Sequence, residues 1–348
     1  MRPPALGRLR RRLARLACGG PARAVVLLYH RVADVRRDPW RLCVGPARFE
    51  EQLAALSRVA RPIALGDLVQ ALRAGRCPRR AVVVTFDDGY ADNLHHARPL
   101  LARHGVPATV FVAAGQLGSA REFWWDDLER ILFEPPLLPP VLAIEVDGAV
   151  RRWELGAAAQ APTSVAGECD WEPWGTEHPS ARHRLYAELW SLLHPLDAGV
   201  RGAILDWLAA WAGLAPEGRP GHRALTPEEV QALSRDGLVE IGCHTVTHTV
   251  LSALPVAEQR EEIARSKATL EEIIGRSVTS FAYPYGRRED YTAETVALVR
   301  AGGFESACAN VEGVVVRDTA LFELPRMQVR DWDGDVLAGR LDAWLGEG

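Results

Sequence analysis

The chain has 348 residues, 48% of them hydrophobic and 25% charged, with a net charge of −4. That balance suits a globular protein with room for one large α/β domain or two smaller ones. A net negative charge excludes general affinity for nucleic acid, and no uninterrupted run reaches the roughly 18 apolar residues of a membrane-spanning helix.

Residues 1–23 hold seven arginines and no acid. No apolar signal-peptide core follows, so a cleavable leader is not expected. The cluster reads either as a solvated arm or as a basic amphipathic helix docking on anionic lipid headgroups. The six cysteines form no CxxC pair, which argues against a disulfide framework or zinc ribbon. These features together predict a cytoplasmic protein, with a peripheral contact at the inner membrane face as the second reading of the arm. Oligomeric state has no signal.

Ala24–Tyr29 reads as the first strand and ends in His30. Helices are predicted over Phe49–Leu56 and Leu65–Arg73, the latter stopped by Gly75 and Pro78. The apolar, β-branched run Ala81–Phe86 ends abruptly in Asp87-Asp88-Gly89-Tyr90. A buried strand here delivers two carboxylates to the end of a sheet, where α/β folds place their chemistry. Adjacent carboxylates repel unless a cation or proton is shared, so the pair needs a partner. A helix over Asn93–His104, closed by Gly105, and a strand over Val106–Val112 continue a parallel β/α rhythm.

The rhythm breaks over residues 119–222, where eight of the eleven tryptophans lie. This stretch reads as an insertion with helices at Tyr186–Leu193 and Val200–Leu214, its indoles forming either a mini-core or a sugar-stacking surface. The rhythm resumes with a helix opened by Thr226-Pro227 and a strand over Leu238–Gly242 that runs into His244. Further elements follow: helix Val256–Ile274, strand Val278–Ala282, helix Tyr291–Arg300, strand Phe304–Ala309, strand Leu324–Val329 and helix Asp335–Leu345. The β/α domain therefore comprises 24–118 and 223–348.

His244-Thr245-Val246-Thr247-His248 puts two imidazoles four residues apart directly after a strand. On one helical turn or a tight loop, both rings can converge on one ion. One Asp plus two His makes a three-ligand centre with open positions, and the second Asp is then free to act as a base. The same ligand set also suits non-haem iron, but the spare Asp fits hydrolysis better.

Thr85-Phe86-Asp87-Asp88-Gly89 followed by His244–His248 resembles the polysaccharide deacetylase (NodB-like, carbohydrate esterase 4) family, and Phe281-Ala282-Tyr283-Pro284-Tyr285-Gly286 is similar to its third motif. The resemblance covers roughly Ala24–Phe111 and Thr226–Gly334, and its branch is nearest to sequences resembling poly-N-acetylglucosamine deacetylases. It implies a deformed (β/α) barrel; the chain's own pattern gives it seven or eight strands and a helical, Trp-rich insertion that the resemblance mostly leaves uncovered. The resemblance implies removal of N-acetyl groups from an amino sugar, in a polysaccharide or a lipid- or nucleotide-linked precursor. A divalent metal is implied as cofactor, zinc foremost, with cobalt, nickel or manganese in the same site.

Residue by residue, the resemblance makes Asp87 the general base and Asp88, His244 and His248 the metal ligands. Tyr285 supplies a backbone N–H to the oxyanion. Two positions depart from the family. Ala282 stands where many members carry an arginine that orients the base, and no histidine follows His248 to serve as the acid. His30, in a Tyr-His context at the first strand's end, is the expected acid instead, and Arg326 the expected partner of Asp87. Asp331-Trp332-Asp333 matches the fourth motif only loosely. The competing functions are an amidohydrolase on a non-sugar amide and a carbohydrate-binding protein without catalysis.

Overall fold

A computed structural model describes residues 22–146, 148–160 and 171–346. The arm up to residue 21, Cys18 and Cys169 lie outside the described residues. Among those described, no helix is long and apolar enough to cross a membrane, and Cys43, Cys77, Cys243 and Cys308 are free thiols.

Parallel strands form one curled sheet in the order Ser306–Cys308, Ser280–Ala282, Val239–Cys243, Ala108–Val112, Ala81–Phe86, Ala24–Tyr29 and Met327–Gln328. Leu324 bridges Cys308 at one end of this path, while Met327 pairs with Leu27 at the other. One segment thus touches both edges and curls the sheet into the deformed barrel expected.

Strand alternation sorts the side chains. Val25, Leu27, Val82, Val84, Val110 and Phe281 belong to one buried cluster with the surrounding helices. Ala24, Val26, Ala81, Val83, Phe111, Ala282 and Cys308 share a second. Strands from opposite ends of the sheet meet in this second cluster, which makes it the barrel interior. With both faces covered, each strand must be apolar at every position, and so reads as a continuous run. Gly242 leaves space for that interior: a Cβ there would stand 2.3 Å from a ring carbon of Phe111.

The expected helices form, with local departures. The first runs over Pro46–Val59, starting earlier because Pro46 is pre-shaped for a first turn. Residues 93–97 make a π turn, and α geometry begins only at Arg98. Pro99 lacks the N–H that a continuous ladder would need. Asp92, just ahead of this helix, makes no capping bond. It accepts instead from Arg31 Nε at 3.0 Å and from the Val32 N–H at 3.0 Å. The last strand keeps only Met327–Gln328 as ladder, since Pro325 has no N–H to donate.

The insertion has its own core, in which Trp124, Trp125, Trp171, Tyr186 and Leu208 pack with Tyr90 of the barrel. Helices Trp124–Phe133, Ala181–Leu193 and Ala198–Trp211 surround it. An antiparallel hairpin of Val141–Val146 with Ala149–Glu154 was not foreseen. Its signal was present, as alternation ahead of an Asp-Gly pair.

Candidate active site

Parallel register brings the site residues to one mouth of the barrel. Tyr29 pairs with Phe86, so His30 follows beside Asp87, and the Asp87 N–H donates to the Tyr29 carbonyl at 3.0 Å. Val112 pairs with Cys243, and the His244 N–H donates to the Val112 carbonyl at 3.0 Å. Beyond these last ladder bonds the backbone turns sharply. Asp88, Thr245, His248 and Tyr285 all have φ between 52° and 74°. Such left-handed residues cost on the order of 1–2 kcal/mol each without a glycine's freedom. Gly89, at φ 83°, completes the turn after Asp88 where a side chain would press on Val112.

The inward parity of Ala81, Val83 and Thr85 continues to Asp87, which meets Arg326. Nη1 and Nη2 of Arg326 lie 2.7 Å from Oδ1 and Oδ2 of Asp87 respectively. Arg326 is fully buried, donates from Nε to the Ala309 carbonyl at 3.0 Å and lies 5.7 Å over the Phe111 ring. Burial alone would raise the Asp87 carboxyl. The Arg326 guanidinium and His244 outweigh it and hold the group below the ordinary carboxylate value.

Asp88 faces the histidines. Its Oδ1 lies 3.2 Å from His248 Nε2 and 3.5 Å from His244 Nε2. Burial opposes its ionisation, but the two imidazoles hold its carboxyl well below the usual range. Asp88, His244 and His248 each offer a ligand atom, and these atoms lie within 4.8 Å of one another. The buried Asp88 Oδ1 has no hydrogen-bond partner. His244 Nδ1 is engaged with the Ala282 carbonyl at 2.7 Å, which leaves Nε2 toward Asp88. An orphaned buried carboxylate oxygen between two imidazole nitrogens, one ring fixed from behind, fits a divalent cation.

The histidine pair sits on a tight turn, not a helix. Glu262, from helix Val256–Ile274, accepts from the Val246 and Thr247 N–H groups at 2.8 and 2.9 Å and from the Thr247 hydroxyl at 3.0 Å. Nothing in the local sequence marks this glutamate, because its partner turn lies on another element.

A cavity of about 350 Å³ is lined by His30, Asp87, Asp88, His244, His248 and Tyr285 together with residues not singled out in sequence. Burial holds the His30 imidazole below its ordinary value, against the pull of Asp88 and Asp87. His194, which nothing in its sequence context singles out, also lines the cavity. It stacks on Trp190 at 4.5 Å and meets the Tyr285 ring at 4.3 Å. Burial depresses it to about 4. Trp40, Trp174 and Trp190 complete that side, so the insertion's indoles serve as both core and wall. Trp332 packs on the main core with Arg340 4.0 Å over its ring, and Asp333 caps the last helix.

The sequence model of the polysaccharide deacetylase family matches residues 74–135 and 206–306. The Bacillus subtilis protein YxkH is 29% identical over 110 residues, 31% of this chain and 38% of its own length. A poly-beta-1,6-N-acetyl-D-glucosamine N-deacetylase of Staphylococcus aureus is 28% identical over 108 residues, 27% of this chain and 37% of its own. The matches thus span well under half of these relatives. IcaB from Ammonifex degensii has a similar fold, with a TM-score of 0.57 at 21% identity over 94% of this chain and 97% of that one. The Streptococcus pyogenes deacetylase PplD gives 0.56 at 18% identity over 92% and 99%.

Proposed function

We propose that this chain, whose residues 74–135 and 206–306 match the polysaccharide deacetylase family model, hydrolyses the N-acetyl group of an amino sugar within a glycan. The observation that carries this reading is the unequal partnering of two adjacent carboxylates, Asp87 with Arg326 and Asp88 with two imidazoles. One acid is thereby kept ionised by the arginine while its Oδ2 stays 3.9 Å from His244 Nε2, beside the ligand set, as a base requires. The other belongs to that set.

Asp88, His244 and His248 would hold the divalent ion, with zinc the ion that best suits one carboxylate and two imidazoles. When bound, the ion supplies Lewis-acid polarisation of the acetamide carbonyl and acidifies water. Asp87 takes the proton of the attacking water as its oxygen bonds to the acetamide carbon. The Tyr285 N–H stabilises the resulting oxyanion. His30 donates a proton to the sugar nitrogen as the C–N bond breaks, leaving acetate and a free amine. The neutralising role given to Arg326 favours this hydrolytic reading over a binding protein without catalysis.

The test is acetate release by the zinc-loaded full chain from β-1,6- and β-1,4-linked N-acetylglucosamine oligomers. Release that disappears on chelation supports the reading. A zinc-loaded, folded protein that frees acetate from neither oligomer overturns it.

A further inference from the structure

The two histidines of the ligand set are held in different ways. His244 is fixed from behind, with its Nδ1 engaged by the Ala282 carbonyl at 2.7 Å. His248 has no such brace: its Nδ1 is buried and has no hydrogen-bond partner among the described residues. Its backbone is left-handed, with φ at 52°, so no helix or strand sets the direction of its ring. A ligand histidine ordinarily donates its second nitrogen to a carboxylate or carbonyl, and that bond orients the ring. Something else must hold this imidazole.

Aromatic rings do so. The Trp125 indole meets the imidazole at 4.8 Å with 60° between the planes, and the Tyr285 ring meets it at 4.7 Å and 77°. Trp125 is buried and comes from the insertion, in the first turn of helix Trp124–Phe133. It is itself fixed at two points. Its ring stacks on Phe123 at 5.0 Å, and its Nε1 donates to the Tyr90 hydroxyl at 2.9 Å. That hydroxyl donates in turn to Asp126 Oδ2 at 2.7 Å. Arg31, paired with Asp92, lies 4.5 Å over the Tyr90 ring. Tyr90 stands two residues after Asp88, so the network leaves one ligand, passes through the insertion and returns to another. Core packing alone would be met by any large apolar residue at position 125. An indole N–H bonded to a hydroxyl that is bonded to a carboxylate fixes the angle of the ring as well as its volume.

We propose that Trp125, oriented by Tyr90 and Asp126, is a positioning residue for His248, so that the insertion completes the metal centre of the barrel. This rests on the reading of Asp88, His244 and His248 as metal ligands, and not on the identity of the substrate.

The test reads metal binding directly. Zinc affinity of the full chain is measured by titration calorimetry, and the visible ligand-field spectrum of the cobalt-loaded protein reports ligand geometry. Both are recorded for the wild type, Trp125→Leu, Trp125→Phe, Tyr90→Phe and Trp171→Leu, with folding checked by thermal melting. Trp171 packs in the same core against Phe133 and Tyr186 and controls for lost core packing. The expected result is that Trp125→Leu weakens zinc binding about ten- to a hundredfold and alters the cobalt spectrum. Trp125→Phe should restore most of both, and Tyr90→Phe, which keeps every ring, should fall between. Trp171→Leu should lower the melting temperature and leave zinc affinity and the cobalt spectrum as in the wild type. Unchanged affinity and spectrum in folded Trp125→Leu and Tyr90→Phe proteins overturn the positioning role and leave the ligand set standing. If Trp125→Leu does not fold, Tyr90→Phe alone decides. Equal losses in Trp171→Leu and Trp125→Leu reduce the effect to core packing and also overturn it. A folded wild type that binds neither zinc nor cobalt overturns the ligand set, and the positioning role with it.

Discussion

Arg326 and Asp87, 239 residues apart in sequence, form a two-point ion pair inside the barrel, each guanidinium nitrogen 2.7 Å from its own carboxylate oxygen. Arg326 comes from the segment that touches both edges of the sheet, so the element that curls the barrel also holds the proposed base. Removing one partner of a buried pair strands the other. Arg326→Gln should therefore lower stability by about 3–5 kcal/mol, measured by chemical denaturation. Arg326→Lys should fail to restore it, because a point charge cannot replace a planar fork.

The same pair has a pH signature. Asp87 is held below its unfolded value, so the pair's stabilisation is fully present above the ordinary carboxylate pKa of about 4 and is lost as pH falls through the folded value. Denaturation midpoints of the wild type should thus be flat from pH 7 to 5 with respect to this group and fall below it. In Arg326→Gln the Asp87 pKa rises, and the acid limb of kcat/KM should move to higher pH.

Asp87→Asn removes the proposed base but none of the three ligand atoms. Turnover should fall about a hundred- to ten-thousand-fold, while zinc affinity by calorimetry changes little. A large loss of zinc affinity in Asp87→Asn would reassign Asp87 to the ligand set.

Glu262 touches no ligand atom, yet it clamps the turn that carries both imidazoles. Glu262→Ala should weaken zinc binding about ten- to a hundredfold, as loss of groups that orient ligands does. Zinc at about a hundred times its Kd should stabilise the wild type by about 2.7 kcal/mol. At a fixed zinc concentration, Glu262→Ala should gain less, which a thermal-shift titration reads.

His30 must carry a proton to act as the acid, and burial holds it below the ordinary imidazole value. The alkaline limb of kcat/KM should therefore begin below about pH 6.5. His30→Ala should abolish that limb and slow amide turnover more than turnover of an activated ester, whose leaving group needs no proton. An unchanged limb in His30→Ala would place the acid elsewhere.

Trp124 Nε1 donates to the Tyr285 hydroxyl at 3.0 Å, tying the insertion to the turn proposed to carry the oxyanion donor. Trp124→Phe and Tyr285→Phe should each cost about 1 kcal/mol of transition-state stabilisation, and the double variant no more than either. Additive losses in kcat/KM would mean that the bond does not act through the turn.

Local patterns in the chain were enough to recover the seven strands of the main sheet path and the residues at their ends, but not the hairpin of Val141–Val146 with Ala149–Glu154. Ala24–Tyr29 and Ala81–Phe86 were found with their observed limits because a strand covered on both faces must be apolar throughout. The acids and His244 were legible because each breaks such a run. His194 and Glu262 were not, since one caps the end of a helix and the other lies within one, places where a polar residue is the ordinary exposed choice. Only their packing against turns from other elements gives them a place at the site.

The sequence by itself determined the β/α rhythm, the Asp-Asp and His-x3-His positions and the presence of a Trp-rich insertion, because periodicity and abrupt polarity changes are local properties. Tertiary structure decided which carboxylate meets the arginine and which meets the two imidazoles. Strand parity turns Asp87 inward to Arg326, and the left-handed Asp88 swings outward to the histidines. It also decided which indoles are core and which are wall. Both outcomes depend on contacts between segments far apart in the chain, and electrostatic partnering and burial are set by those contacts rather than by neighbours in sequence.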